Sequence, residues 1–171
     1  MIHEQQELDH LAMLLFHTME QTADTLVLAE SCTAGLIAAT LSRIPGMSRR
    51  FAGSFVVYQV ESKTAWLGVA AEMIQQHNVV SSVIAASMAT QALGRTPHAS
   101  IAMSITGHLG PDSPPELDGV AWLAIARRGL ETRTTELRLK SESSGNSRDC
   151  RHDRQTDAVH QALTMLLSTI S

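Results

Sequence analysis

Ser31 stands in the run Ala29-Glu30-Ser31-Cys32-Thr33-Ala34-Gly35, between the apolar stretch Thr25–Ala29 and the helix-like stretch Leu36–Leu41. A buried strand that turns sharply into a helix through small and hydroxyl residues aims free backbone N–H groups, and the positive end of the helix dipole, at one point. A hydroxyl placed there can attack a carbonyl while those N–H groups hold the developing oxyanion. Ser31 or Thr33 can equally be a helix N-cap, the usual role of such residues at such positions. Downstream, Tyr58-Gln59-Val60-Glu61-Ser62-Lys63 puts a phenol at a strand end and an ammonium one turn into the next helix. A serine and a lysine perform acyl chemistry without histidine when burial or a neighbouring cation lowers the lysine pKa from ~10.4 toward about 7 or 8. Otherwise Lys63 is a solvated helix lysine and Tyr58 a strand aromatic with its hydroxyl at the rim. A third region, the loop at Thr106–Asp112, has the glycines and polar groups of a pocket wall.

The rest of the chain must position these groups. Leu8, Leu11, Ala12, Leu15 and Met19 recur at helical spacing, which predicts an amphipathic helix from about Glu4 to Glu20. A strand at Thr25–Ala29 follows, then a helix from Thr33 to about Arg43 that Pro45-Gly46 stops. Ser54–Tyr58 reads as a second strand, Glu61–Leu67 as a short helix and Ala71–His77 as another turn or two. Ser81 is a suitable N-cap for a helix over Ser82–Leu93, with Gly94 as its stop. Ala99–Ile105 and Gly119–Ala126 are apolar strands, Leu130–Leu139 alternates like a half-exposed strand, and a last helix runs from about Arg148 to Ser168. This order predicts an α/β fold: a single-domain three-layer sandwich over residues 1–171, with a mixed, mostly parallel sheet and helices on both faces. Ligands in such sheets gather where strand ends and helix N-termini converge.

Composition narrows the function classes. The 171 residues are 44% apolar and 18% charged, with a formal charge of -4, so nothing favours nucleic acid or an acidic membrane as partner. No apolar run is long enough for a membrane span, and Met1–Asp9 has no basic segment leading into an apolar one. Cys32 and Cys150 make no disulfide framework, so the expected compartment is the cytoplasm. The eight histidines show no metal-ligand spacing, so no metal is expected.

The strings A-E-S-C-T-A-G-L-I-A-A, F-V-V-Y-Q-V-E-S-K-T-A-W-L-G-V and I-T-G-H-L-G-P-D, in that order between about Thr25 and Ile125, resemble the CinA C-terminal domain family. Its members are also described as competence/damage-inducible proteins or nicotinamide-nucleotide amidohydrolases. The resemblance implies a serine amidohydrolase that deamidates nicotinamide mononucleotide to nicotinic acid mononucleotide and ammonia, without metal or organic cofactor. It places the nucleophile on Ser31, the tyrosine on Tyr58 and the lysine base on Lys63. Glu30, Thr33, Gly35, Thr106 and Gly107 fall in the loops that face the substrate, and Arg148 aligns with an arginine suited to the nucleotide phosphate. Backbone N–H groups near Thr33–Gly35 would hold the oxyanion. Family likeness further implies a homo-oligomer, with a dimer the simplest form, and a stand-alone domain in place of the fusion to an N-terminal molybdopterin-binding-like domain.

The chain departs from the family pattern near these motifs. Val60 replaces an asparagine, Ala34 a glycine, and His108-Leu109 and Glu116-Leu117-Asp118 reshape the loop before the next strand. His152 stands for a second arginine. Two readings therefore compete: an active amidohydrolase with altered pocket detail, and a catalytically weak or inactive paralogue that binds nucleotides or serves in assembly. A metal hydrolase built on the histidines ranks below both.

Overall fold

The computed structural model describes residues 2–141 and 148–171; the side chains of residues 2–4, 148 and 149 lie outside the described set. Five strands form one sheet in the order β2-β1-β3-β4-β5, where β1 is Leu26–Glu30, β2 Phe51–Val56, β3 Ile101–Gly107, β4 Val120–Arg127 and β5 Arg133–Arg138. The sheet is mixed, with parallel and antiparallel pairings evenly divided. β1 runs parallel to both β2 and β3, while β4 is antiparallel to β3 and to β5.

Every residue of β1 is buried, as befits a central strand covered on both faces. Leu26 and Leu28 face one apolar layer, Val27 and Ala29 the other. The first layer is closed by α1 (Ile2–Thr22), α2 (Leu36–Ser42) and α6 (Arg148–Ile170), through Leu15, Met19, Ile37, Leu41, Val159, Leu163 and Leu166. The second is closed by α3 (Val60–Ser62), the π-helical turn Lys63–Leu67, α4 (Ala71–His77) and α5 (Ser82–Arg95). There the strands present Ala29, Ala102, Ala124 and Ala126, and α5 answers with Ala85, Met88, Ala89 and Ala92. Small side chains on both sides let this helix lie close against the sheet.

Several element boundaries differ from expectation, those of β2 and α5 among them. The second strand is Phe51–Val56, earlier than Ser54–Tyr58. Its pairing is fixed by the length of β1, from Leu26↔Phe51 to Glu30↔Val56, with an irregularity beside Leu26 and Val27. Val57 makes one more bond, from its N–H to the Glu30 carbonyl (2.8 Å), and the chain then leaves the sheet. Helix α5 runs through Gly94 to Arg95, whose Nε donates to the Leu67 carbonyl at 2.7 Å. Gly94 does not adopt the left-handed conformation of a helix stop. Among the described residues, no helix is long and apolar enough to cross a membrane.

Candidate active site

At the end of β1, the chain turns into α2 around a buried carboxylate. Glu30 is 0% exposed, and its Oε2 accepts hydrogen bonds from Thr33 Oγ1 (2.8 Å), the Gly35 N–H (3.0 Å) and the Ile37 N–H (3.1 Å). Its Oε1 accepts from the Ala38 N–H and Ser54 Oγ, both at 3.0 Å. The first N–H groups of a helix have no internal acceptor, and a negative charge there is stabilised by the helix dipole. Glu30 therefore does the capping that Ser31 or Thr33 could have done. The N-cap residue, Gly35, has φ 94° and no side-chain bond.

Ala34 just before it also has a positive φ, 53°. Two consecutive left-handed residues make the turn tight, and the first carries a Cβ that this conformation disfavours. Ala34→Gly is expected to raise stability by about 0.5–1 kcal/mol, the strain relieved minus the added freedom of the unfolded chain. Urea unfolding measures it, and an unchanged or lower midpoint contradicts strain at this residue.

With Glu30 holding the turn, Ser31 is fixed through its own backbone. Its N–H donates to the Ile105 carbonyl and its carbonyl accepts from the Ala34 N–H, both at 3.0 Å. The side chain meets Lys63, whose Nζ donates to Ser31 Oγ at 2.8 Å and to the Val57 carbonyl at 2.9 Å. Lys63 is 1% exposed and reaches the site from the first position of the π-helical turn. Among the described residues no carboxylate accepts from the lysine, and burial pulls its pKa from 10.5 down to about 8. A lysine in that range supplies a neutral amine near physiological pH. Cys32 is 4% exposed in the apolar layer, and burial pushes its thiol up to about 12, so it remains protonated and is no rival nucleophile.

The family model for the CinA C-terminal domain matches residues 8–170. This chain belongs to the CinA C-terminal domain family. A CinA-like protein of Myxococcus xanthus is 35% identical over 136 residues, 77% of this chain and 31% of that protein. The chain thus spans about a third of the length of such relatives. Among solved structures, a CinA superfamily protein of Klebsiella pneumoniae superposes with a TM-score of 0.86 at 27% identity, over 95% of this chain and 97% of the other. A competence/damage-inducible protein of Agrobacterium tumefaciens gives 0.84 at 30% identity, over 95% and 94%.

Within this CinA fold, the residues that the resemblance assigned to substrate divide into two groups. Ser31 and Lys63 meet directly. Glu30, Thr33 and Thr106 turn inward, and their side chains bond within the fold. The Glu30 carboxylate is fully occupied by the turn, Thr33 Oγ1 donates to it, and Thr106 Oγ1 donates to the Val79 carbonyl at 3.0 Å. A buried hydroxyl must find a partner, and both find one inside the fold. Gly107 is required by packing, since a Cβ there would stand 2.6 Å from that of Ala121 on β4. Gly35 is required by its positive φ. Tyr58 is 54% exposed and bonds neither Ser31 nor Lys63; its hydroxyl accepts from Arg151 Nη2 at 2.7 Å.

Arg151 and Gln155 are site residues that sequence reasoning missed. Arg148 opens α6, but its side chain lies outside the described residues. Among the described side chains of α6, Arg151 reaches the site, donating to two neutral groups, the Tyr58 hydroxyl and the Gly110 carbonyl. Gln155 Nε2 donates to the Cys32 carbonyl at 3.2 Å. Both could have been found by stepping back four residues at a time from Val159 along the buried stripe of α6. The unbonded N–H groups of the turn also differ from those expected, which lay near Thr33–Gly35. The Gly35 N–H is taken by Glu30 and the Ala34 N–H by Ser31, whereas the Cys32 and Thr33 N–H groups have no acceptor among the described residues.

Of the departures from the family pattern, Ala34 lies in the Ser31 turn itself, while Val60, Leu109 and Asp118 make no bond to Ser31 or Lys63 among the described residues. Val60 is exposed and helps line a surface cavity of about 390 Å³ with Thr64, Ala65 and Ile74. Leu109 is buried in the core. Asp118 is clasped by Arg154 Nη1 and Nη2 at 2.8 and 2.7 Å, and this guanidinium holds its carboxyl below the usual range. Among the described residues, no three of histidine, cysteine, aspartate or glutamate gather to hold a metal ion.

Proposed function

We propose that the chain is an amidohydrolase that deamidates nicotinamide mononucleotide, releasing ammonia and nicotinic acid mononucleotide. The observation that carries this reading is the 2.8 Å contact between Ser31 Oγ and the buried amine of Lys63. In the neutral state Lys63 takes the Ser31 proton as Oγ attacks the carboxamide carbon, and the Cys32 and Thr33 N–H groups hold the oxyanion. The lysine then returns that proton to the departing nitrogen, which leaves as ammonia. Water, activated by the same amine, releases the acid from the acyl-serine.

The exposed ring of Tyr58 offers a face to the cationic pyridinium, and Arg151 offers the phosphate a guanidinium bonded only to neutral groups among the described residues. Arg151→Ala is expected to raise KM for the mononucleotide about 10- to 100-fold, the worth of a charge-assisted pair. The phosphate-free riboside should be changed far less, and an equal effect on both substrates removes Arg151 from phosphate binding.

The reading is tested by ammonia release from nicotinamide mononucleotide with Ser31→Ala alongside. Turnover by the parent that disappears in Ser31→Ala supports it. Turnover that survives the substitution overturns the serine mechanism. Binding of the mononucleotide with no turnover by the parent selects the paralogue reading.

A further inference from the structure

The turn that carries Ser31 is closed by the bond from the Ala34 N–H to the Ser31 carbonyl, so Cys32 and Thr33 are the two central residues of a four-residue turn. The peptide between them is the unit that such turns rotate most readily, because only ψ of the first central residue and φ of the second must change. Its N–H end, on Thr33, has no acceptor among the described residues. Its C=O end, on Cys32, accepts from Gln155 Nε2 at 3.2 Å. The two ends of a trans peptide point in opposite directions, so a donor that holds the carbonyl toward α6 holds the N–H away from α6.

We propose that Gln155 is a positioning residue for the oxyanion: it fixes the Cys32–Thr33 peptide so that the Thr33 N–H stays aimed beside Ser31 Oγ. The inference rests on the amidohydrolase reading and extends it to a helix more than a hundred residues away in sequence. Gln155 does so in two ways. Its bond opposes rotation of the peptide, and donation to a carbonyl strengthens the N–H donor of the same amide. The backbone of Thr33 leans the same way, since its φ is negative. Gln155 therefore sharpens an arrangement the turn already prefers, and its loss weakens the site without dismantling it.

The test compares the parent with Gln155→Met, which keeps length and bulk but has no N–H to give, and with Gln155→Arg, which restores planar donors of similar reach. Each is assayed on nicotinamide mononucleotide and on its thiocarboxamide analogue, with Tm measured in parallel. Sulfur is a poor acceptor, so an interaction with the developing anion matters for the oxygen substrate and little for the sulfur one. Gln155→Met is expected to lower kcat on the carboxamide about 10-fold at unchanged KM, as a partly misaligned oxyanion donor would. The thiocarboxamide should be nearly unaffected, and Gln155→Arg should recover most of the loss.

A parallel fall on both substrates, or no fall, overturns the assignment. If Gln155→Met does not fold, Gln155→Glu serves, being of the same shape and without a donor when ionised. Absence of Ser31-dependent turnover in the parent overturns the amidohydrolase reading and this inference with it. Turnover in the parent that is indifferent to position 155 overturns this inference alone.

Discussion

Lys63→Met is expected to lower kcat for amide hydrolysis about 10³-fold, because in the proposed mechanism one amine serves as base for attack, acid for ammonia and base again for water. Methionine preserves the bulk of the buried stem, so the loss reports the nitrogen and not a cavity. The pH dependence follows from the same group. Burial favours the neutral amine, which places the lysine pKa at about 8 rather than 10.5. The reactive form is the deprotonated one. The rate should therefore climb about tenfold per pH unit on the acid side of that midpoint and level off above it. Lys63→Arg should not restore the rate, since a guanidinium stays protonated at any working pH. A profile that is flat from pH 6 to 9, or substantial activity in Lys63→Arg, excludes the amine as the base.

The second large effect is on stability. Glu30→Gln is expected to lower unfolding free energy by about 3–5 kcal/mol, and Tm by roughly 10 °C. The carboxylate accepts five hydrogen bonds from Thr33, Gly35, Ile37, Ala38 and Ser54 in a site with no solvent access. An amide of the same shape keeps one acceptor oxygen and turns two donors toward N–H and hydroxyl groups that need an acceptor. Those groups are then buried without partners. Thermal and urea unfolding of the purified variant measure the change, and a loss under about 1 kcal/mol would mean that the turn is held by something else. The residue was read as a substrate contact because its motif surrounds the nucleophile. Its burial shows how it serves Ser31, by fixing the turn that holds it.

The layers of the fold were legible because burial imposes a period. The continuous apolar run of β1, the helical spacing in α1 and the N-cap at Ser81, which accepts from the Ile84 N–H at 3.3 Å, are local signals that tertiary packing did not override. The pairing of Ser31 with Lys63 was legible for a different reason, since a strand-to-helix turn and a following strand end must converge in a parallel sheet. The bounds of β2 were not, because Gly53 interrupts its apolar pattern and pairing with β1 sets the register. Nor were the partners of Thr33 and Thr106. Sequence announces a hydroxyl but says nothing of which carbonyl or carboxylate will satisfy it. Arg151 and Arg154, the described arginines of this stretch, were not singled out beside Arg148, whose side chain lies outside the described residues. Which of them points at the turn depends on how α6 rotates against the sheet, and that is set by Ala158, Val159, Ala162 and Leu163 farther along.

The construction of the site from remote segments bears on synthesis. The hydroxyl and the amine leave the ribosome before the helix that supplies Arg151 and Gln155 and that packs in the same apolar layer as Leu26, Leu28, Leu123 and Ile125. A nascent chain lacking that helix has a greasy face open to water and lacks two groups at the site. Under the proposed mechanism, fragments stalled or clipped before it forms should be inert toward amides, and their open apolar face should make them prone to capture by chaperones.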